Sequence, residues 1–251
     1  DLPGGESFRQ PYLVGYGTGD YTAEEADYAS AEPTFAYATI SKAKVTAYAE
    51  DSEEVLKLPE ADYDGAVMDG ITTALRKKIT REILIGDGTT NHLTGIFDDG
   101  ATAIDSVTDL EIEEIDEDTL DNIIYGFGGD EDVEDVAVLI LNKKDLKKFA
   151  TLRDAEGKKL HNVVNRGNTG TIDGVPYVIN SACGDTATSE PGDYCMAYGP
   201  LSNYTLAVFS DADVQRWTDY KFKQGMIAHR GSIFVGGNVT AKNGFLRVKK
   251  A

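Results

Sequence analysis

The sequence predicts a mixed α+β fold. One long amphipathic helix and many short strands separated by glycine-rich turns indicate this class, and neither a regular βαβ rhythm nor an internal repeat is present. A length of 251 residues and a hydrophobic content of 41% suffice for a buried core. We therefore expect a globular body made of one large domain or two small ones.

The first fourteen residues are predicted to form an extended arm, because they contain two prolines and a glycine pair and have the period of neither a helix nor a strand. Residues 15–49 are rich in Tyr, Thr and Ala. In their second half, Phe35 and Tyr37 would lie on one face and Ala36 and Ala38 on the other, which predicts a strand exposed on both sides.

Residues 15–49 are predicted to form a long β-hairpin. A hairpin with so few large aliphatic side chains cannot bury enough area to be stable alone, so we expect it to extend beyond its own domain and to lie on a partner subunit. The candidate residues for this inter-subunit contact are Tyr16, Asp20, Tyr21, Glu24, Glu25, Tyr28, Phe35 and Tyr37.

The strongest helical pattern covers residues 63–85. Its apolar stripe repeats every four residues, at Val67, Ile71, Leu75, Ile79 and Ile83. Its basic residues face elsewhere, at Arg76, Lys77, Lys78 and Arg81. Gly86 ends the helix, and the following GDGTTN is typical of a turn.

Later segments alternate between helices and strands. Residues 116–127 and 143–154 are predicted to be helices, and residues 136–142 (VAVLILN) a fully buried strand. Further short strands are predicted at residues 175–180, 194–198, 204–209, 227–235 and 245–249.

The charge balance limits the partners. Lys and Arg total 24 against 43 Asp and Glu, a formal net charge of -19, which argues against non-specific attraction to phosphate backbones. No apolar stretch of membrane length and no signal-peptide pattern is present, so we expect a soluble protein. The densest basic patch, at Lys143, Lys144, Lys147 and Lys148, is interpreted as a solvated face or a contact with an acidic neighbouring subunit.

No pattern for catalysis, a cofactor or a metal ion emerges. Cys183 and Cys195 lack metal-site spacing, so we expect two free, partly buried thiols, with a disulfide as the less favoured alternative. The loop that starts at Asp87 carries oxygen donors but fails the calcium-loop pattern, since His92 stands where glycine is required. The three histidines, His92, His161 and His229, lie in no catalytic motif.

Several patterns together resemble one family, in its order along the chain. They are the helix that ends in Gly86-Asp87-Gly88 before Leu93–Ile96, the run Leu139–Leu160, the strand Asp173–Asn180, the segment Tyr194–Arg216, and Arg230. In this order they are similar to the major capsid proteins of tailed bacteriophages, which have the Hong-Kong-ninety-seven type of fold.

The resemblance implies five segments: an N-terminal arm (1–14), an extended loop (15–49), a peripheral domain (50–115) with the spine helix 63–85, an axial domain (116–209), and return strands of the peripheral domain (210–251). Members of the family assemble into hexamers and pentamers of an icosahedral shell around double-stranded DNA, without sequence-specific binding.

The implied partners are other copies of the chain, together with portal, scaffold and decoration proteins, and no membrane. The implied location is the virion, after assembly in the host cytoplasm. Since many members lose an N-terminal scaffold segment during capsid maturation, Asp1 is interpreted as a cleaved end.

One departure from the family pattern concerns covalent cross-linking. Some relatives join subunits through a Lys in the extended loop, but no Lys lies between Gly15 and Ser41. We therefore predict no isopeptide mesh.

Two alternatives to a viral capsid stay open from sequence: an encapsulin-type shell around a protein cargo, and an acidic soluble hydrolase.

Overall fold

The secondary structure comes from a computed structural model that describes residues 6–15, 17, 19–22, 24, 27–28, 30–52, 54, 63–128, 136–219 and 221–251. Within them, bounds are defined for three α-helices: α1 (Tyr63–Ile85), α2 (Thr119–Gly126) and α3 (Lys143–Thr151). The strands are β1 (Ser7–Gly15), β2 (Thr34–Ser41), β3 (Ala43–Ser52), β4 (Leu110–Ile112), β5 (Ala137–Leu141), β6 (Val163–Asn165), β7 (Thr169–Ile172), β8 (Val175–Ile179), β9 (Tyr194–Pro200), β10 (Tyr204–Val208), β11 (Asp213–Trp217), β12 (Met226–Val239) and β13 (Leu246–Lys250). Short 3-10 turns lie at Ser106–Thr108, Leu201–Asn203 and Phe222–Gln224.

The spine helix α1 confirms the sequence prediction. It is about 34 Å long at 1.5 Å per residue. Ile71 and Leu75 are buried, the other members of the predicted stripe pack beside them, and the four basic residues are exposed. No helix among the described residues combines the length and the apolar character that a membrane span requires.

One lobe is a four-stranded antiparallel sheet built on β12. Strand β3 pairs along one edge of β12, and β11 and β10 pair in succession along the other edge. Helix α1 covers one face of this sheet, where Ile71 and Leu75 share a cluster with Val45 and Val235. A Cβ atom on Gly231 would lie 2.4 Å from Cγ2 of Ile71, so the helix can pack this closely only because Gly231 has no side chain.

The other lobe is a seven-stranded mixed sheet in the order β4-β13-β9-β5-β8-β7-β6. The pairs β13–β4 and β5–β8 are parallel, and the rest are antiparallel. Leu120 and Ile123 of α2, and Leu146 and Phe149 of α3, are buried in the largest core cluster together with residues of the central strands. The two helices therefore cover this sheet.

The predicted later elements are present with shifted ends. Helix α2 starts three residues after the predicted Asp116, whose carboxylate accepts a hydrogen bond from the Thr119 hydroxyl. The strand predicted as fully buried is β5, but Val136 precedes it and is exposed, and its first two residues are only partly buried. Strands β4, β6, β7 and β11 were not predicted, because three of them have at most four residues and little alternation.

Two strands lie in a different sheet from the one expected for the predicted segment in which they fall. Strand β10 falls within the predicted axial segment 116–209 but pairs with β12 in the four-stranded sheet. Strand β13 falls within the predicted return strands 210–251 but lies between β4 and β9. Leu246 and Val248 are buried in the core of the seven-stranded sheet, which explains why β13 pairs in that sheet and not in the sheet built on β12.

The N-terminal hairpin begins earlier than predicted. Residues 7–14 belong to β1, which pairs antiparallel with β2, so they form a strand and not an irregular arm. Strand β3, most of which falls in the predicted loop 15–49, belongs to the four-stranded sheet instead. Pro11 argued against a strand at the position of β1. A two-stranded ribbon tolerates proline, however, because each of its strands has a free edge.

The prediction that β2 is exposed on both sides is wrong. On the inner face, Tyr12, Ala38 and Ile40 are buried against the body of the same chain. The small Ala38 and the absence of a side chain at Gly236 allow this contact, since a Cβ on Gly236 would lie 2.4 Å from the carbonyl oxygen of Ser41. The base of the hairpin is therefore supported by its own chain.

A buried ion pair ties the last strand to the core. The Nε and Nη2 atoms of Arg247 donate to the two carboxylate oxygens of Asp109, at 2.7 and 3.0 Å. The hydroxyl of Tyr194 donates to the same carboxylate at 2.8 Å, and its ring lies 4.8 Å from the guanidinium carbon. Burial and the bond to Asp109 raise the pKa of Tyr194 to about 12.

The two cysteines are free and buried, which confirms the preferred prediction over the disulfide. Burial raises the pKa of the Cys183 thiol to about 12. Because the thiolate is the reactive form, Cys183 should be chemically inert in the folded chain.

Replacement of Gly231 tests the close contact between α1 and β12. We expect Gly231→Ala to lower the free energy of unfolding by about 1 to 3 kcal/mol, since the methyl group collides with Ile71. In the control Gly70→Ala, on α1, no heavy atom lies within 4 Å of the added Cβ, so stability should rise by about 0.5 to 1 kcal/mol. Urea denaturation of the unassembled subunit measures both, and equal effects at the two positions would contradict this packing.

Candidate inter-subunit interface

The outer face of the β1–β2 hairpin presents large apolar side chains to solvent. Phe35 is 57% exposed and Tyr37 61% exposed. The register places Leu13 opposite Phe35 and Pro11 opposite Tyr37. Pro11 is exposed and Leu13 is partly buried, so the apolar row continues across both strands. Clustered exposed apolar groups are typical of surfaces that contact another molecule.

The tip segment, defined as residues 16–33 between β1 and β2, is acidic and aromatic. Its charged residues are all acidic, at Asp20, Glu24, Glu25, Asp27 and Glu32. Tyr21 and Tyr28 are almost completely exposed. The backbone N–H of Tyr21 donates to the carboxylate of Asp20 at 2.7 Å, which keeps the acid and the ring close together.

The structure brings six of the eight candidate contact residues onto one exposed hairpin. Asp20, Tyr21, Glu24, Tyr28, Phe35 and Tyr37 are all solvent-exposed. Tyr16 and Glu25 lie outside the described residues. The part that these eight residues play between subunits stays a prediction.

Sequence reasoning missed a second exposed aromatic surface. Tyr48 on β3 and Trp217 on β11 lie beside a concavity of about 300 Å³ in the four-stranded sheet. The other described lining residues are Gln215, Ala228, His229 and Arg230. The only available signal was that Trp217 is the one tryptophan of the chain, because the sequence separation between Tyr48 and Trp217 hides their proximity.

The basic patch on α3 is partly used within the chain. Lys144 forms an ion pair with Asp185 at 2.6 Å, and Lys148 donates to the Thr186 hydroxyl. Asp145 is buried and accepts hydrogen bonds from the backbone and side chain of Thr186. The interpretation as a solvated face holds for Lys143, Lys144 and Lys147, which are exposed, whereas Lys148 is partly buried. Lys144 and Lys148 also hold the loop after β8 against α3.

The histidine with the most suggestive surroundings does not form a catalytic relay. His92 lies 2.6 Å from Asp87 and 3.2 Å from the Thr89 hydroxyl, but both contacts involve its Nδ1 atom. A relay requires the base to be oriented through one ring nitrogen while the other takes the proton. Hydrogen bonds from Thr89 and His92 lower the pKa of Asp87 to about 2, as expected for an acceptor that closes a turn.

The other two histidines also contact carboxylates of their own chain. Nδ1 of His161 lies 2.6 Å from Asp173, and Nε2 of the buried His229 lies 2.9 Å from Asp64 on α1. These contacts join separate elements of the fold. Among the described residues, no group of three or more His, Cys, Asp or Glu side chains could hold a metal ion.

The comparisons with known proteins agree with this architecture. The family model described as the phage capsid family matches residues 3–250. The capsid of the native GTA particle is 21% identical, with a TM-score of 0.74 over 98% of this chain and 86% of that chain. A chain of Microbacterium phage Oxtober96 is 15% identical, with a TM-score of 0.71 over 100% of this chain and 88% of that one.

A chain of Mycobacterium phage Bobi is likewise similar, at 17% identity, with a TM-score of 0.69 over 100% of this chain and 87% of that one. These likenesses show the fold, which is the phage capsid fold predicted from the sequence. Among curated proteins, no sequence matches this chain significantly.

The match to the phage capsid family and the capsid fold identify a structural subunit of a virus shell, and not an enzyme. The chain belongs to the phage capsid family, over nearly its whole length. It is a major capsid protein located in the virion, where copies of it form the shell.

The ion pair between Lys144 and Asp185 predicts a pH-dependent stability. Hydrogen bonds from Lys144 and Thr188 hold the pKa of Asp185 below its ordinary value. The ionised Asp185 therefore stabilises the fold fully when the pH is above the ordinary pKa, and this contribution is lost as the pH falls through the lowered pKa. We expect Asp185→Asn to cost about 1.5 to 3 kcal/mol at pH 7, and this difference from wild type to shrink in acid.

The free energy of unfolding, measured against pH, checks this expectation. The control Glu156→Gln removes an exposed carboxylate and should change stability little. A loss in Asp185→Asn that stays constant down to the acid transition would contradict the role given to this ion pair.

Proposed function

We propose that the chain assembles through its N-terminal hairpin into the hexamers and pentamers of an icosahedral shell that encloses double-stranded DNA. The single observation that carries this proposal is the hairpin itself. Its inner face is docked on its own chain, whereas Phe35 and Tyr37 on the outer face, and Tyr21 and Tyr28 in the tip segment, are exposed. Assembly in the host cytoplasm belongs to the proposal, with portal, scaffold and decoration proteins as further partners.

The docked base of the hairpin supports this role. Burial of Tyr12, Ala38 and Ile40 gives the ribbon a defined direction before any partner is present, which lowers the entropy cost of association. Covering one exposed aromatic side chain then contributes about 1.5 to 3 kcal/mol. In a closed shell this contribution is repeated at every equivalent interface.

We assign the two lobes to the two domains that the family resemblance implies. The four-stranded lobe with α1 would be the peripheral domain, and the seven-stranded lobe with α2 and α3 the axial domain. The strand pairing supports boundaries that differ from those predicted, with β10 in the peripheral domain and both β4 and β13 in the axial domain.

The acidic composition supports a shell that contains DNA without gripping it. A net charge of -19 repels phosphate backbones at long range. The content of purified particles also separates the proposal from the encapsulin alternative, since packaged DNA supports a viral shell and a protein cargo supports a compartment.

Removal of the exposed aromatic groups tests the role of the hairpin. We expect the double variant Phe35→Ser/Tyr37→Ser to lose most particle formation while the subunit still folds, because both side chains are exposed in the single chain. Sedimentation velocity and negative-stain microscopy measure assembly, and circular dichroism measures folding.

The control is Thr39→Ser, on the same strand and the same exposed face. It removes one methyl group and should assemble like wild type. Particles formed by the double variant in wild-type yield would show that the outer face of the hairpin does not contribute to the shell.

The positions of the nearest lysines bear on covalent cross-linking. Lys42 and Lys44 follow the hairpin, and their ammonium groups lie 5.3 and 5.6 Å from the centre of the Phe234 ring. They are thus held at the base of the hairpin by cation–π contacts. We predict that mature particles run as a single subunit band on a denaturing gel, and a ladder of covalent multimers would contradict this.

A further inference from the structure

The first two turns of the spine helix have less apolar anchoring than the rest of α1. No side chain between Tyr63 and Gly70 is buried, whereas Ile71 and Leu75 lie in the core. Gly65 and Gly70 weaken this part of the helix further, because glycine loses more conformational freedom on folding than any other residue. The start of α1 therefore depends more on polar contacts than its later turns do.

These polar contacts meet at His229, whose side chain is fully buried. Its Nε2 atom lies 2.9 Å from Oδ1 of Asp64, in the first turn of α1, and its Nδ1 atom lies 3.7 Å from Oδ2 of Asp51, on β3. Arg216 lies opposite His229 on β11, with its Nε atom 3.5 Å from the same Asp64 oxygen. Each ring nitrogen of His229 thus faces a carboxylate from a different element of the fold.

Only the charged form of the imidazole fits this arrangement. A neutral imidazole has one donor and one acceptor nitrogen, whereas the imidazolium has two donors. Because an ionised carboxylate only accepts, either neutral form would turn a lone pair of His229 toward a carboxylate oxygen. Nδ1 of His229 and Oδ2 of Asp51 are both buried, and neither has a hydrogen-bond partner among the described residues. A proton between these two atoms removes the cost of leaving both unpaired.

We propose that His229 is a charged clasp between the start of the spine helix and the sheet, and that loss of its second proton releases the first two turns of α1. With that proton, His229 and Arg216 balance the two carboxylates. Without it, Arg216 is the one cation left in the cluster, and Nδ1 of His229 repels Asp51. The stabilisation by the clasp is therefore present in acid and is lost as the pH rises through the range in which imidazole groups titrate.

The release is local, because the later turns of α1 have a different support. Ile71 and Leu75 stay packed on the sheet above Gly231, where no titratable group is involved. A change of charge at one buried ring thus becomes a change at one end of the helix that spans this lobe. The clasp lies within a single chain, so the inference does not depend on the proposed role of the hairpin.

Hydrogen exchange of the unassembled chain tests the release. The reporting amides are those of Val67–Gly70, the first N–H groups of α1 that have a partner inside the helix. We expect their protection, corrected for the intrinsic pH dependence of exchange, to fall about tenfold between about pH 6 and pH 8. The amides of Ala74–Lys78 should keep their protection. Equal behaviour of the two groups of amides would overturn the proposal.

The variant Asp51→Asn distinguishes a charged clasp from an ordinary hydrogen bond. The Asn amide donates to the Nδ1 atom of a neutral His229, so the ring no longer needs its second proton. We expect the protection of Val67–Gly70 to stay high at both pH values in this variant. The control Glu50→Gln removes the neighbouring acid of β3, which pairs with Lys221, and should keep the wild-type pH dependence. The same pH dependence in Asp51→Asn as in wild type would contradict the clasp.

The ring nitrogens of His229 report their protonation directly. Nearly equal ¹⁵N chemical shifts indicate an imidazolium, and widely separated shifts a neutral ring. The signals of the other two histidines are identified with His92→Gln and His161→Gln, so the assignment requires no folded variant at position 229. We expect the imidazolium pattern for His229 in the folded chain at about pH 6. A neutral pattern under this condition would remove the basis of the proposal.

Discussion

Strand β12 is the constraint on which the rest of the structure depends, because its glycines let other elements approach at backbone distance. Gly231 admits α1, and Gly236 admits the end of β2, where any Cβ would collide with Ile71 or with the Ser41 carbonyl oxygen. The same strand carries Ala228 and Arg230 on the face opposite to Gly231. One strand therefore positions the hairpin, orients the spine helix and forms the floor of the concavity beside Tyr48 and Trp217.

The two lobes share buried structure and do not act as independent units. The second core cluster joins Tyr12 and Ala38 of the hairpin, Leu84 of α1, and residues of the seven-stranded sheet such as Ile140 and Ala197. The buried pair of Arg247 and Asp109 adds a polar connection to this core. Removing one partner of such a pair costs about 3 to 5 kcal/mol, since the other charge is left buried and unpaired. The base of the hairpin therefore packs against residues of both lobes.

The spine helix could be predicted to the residue, since Ile71 and Leu75 belong to a stripe that repeats within one local segment. The capsid fold also followed from sequence, but only from the order of many weak patterns. The pairing partner of a strand has no such local signal in the sequence. Pro11 argued against a strand where β1 lies, and the burial of Leu246 and Val248 places β13 in the seven-stranded sheet. The concavity beside Tyr48 and Trp217 could not be predicted at all, because these two residues come together only through their common neighbour β12.

An interface in which the hairpin of one copy lies on a different surface of the next copy would be of the head-to-tail kind, and this has a consequence for symmetry. Contacts of this head-to-tail kind do not close after two copies, as a self-complementary patch would, but continue around a ring until the rotation closes. The docked hairpin base limits that rotation, whereas the tip segment beyond it is free of regular strand pairing in the residues that the structure describes. The proposed shell of hexamers and pentamers requires one sequence to close both five-membered and six-membered rings, so the contact between neighbouring copies must accommodate two different rotations.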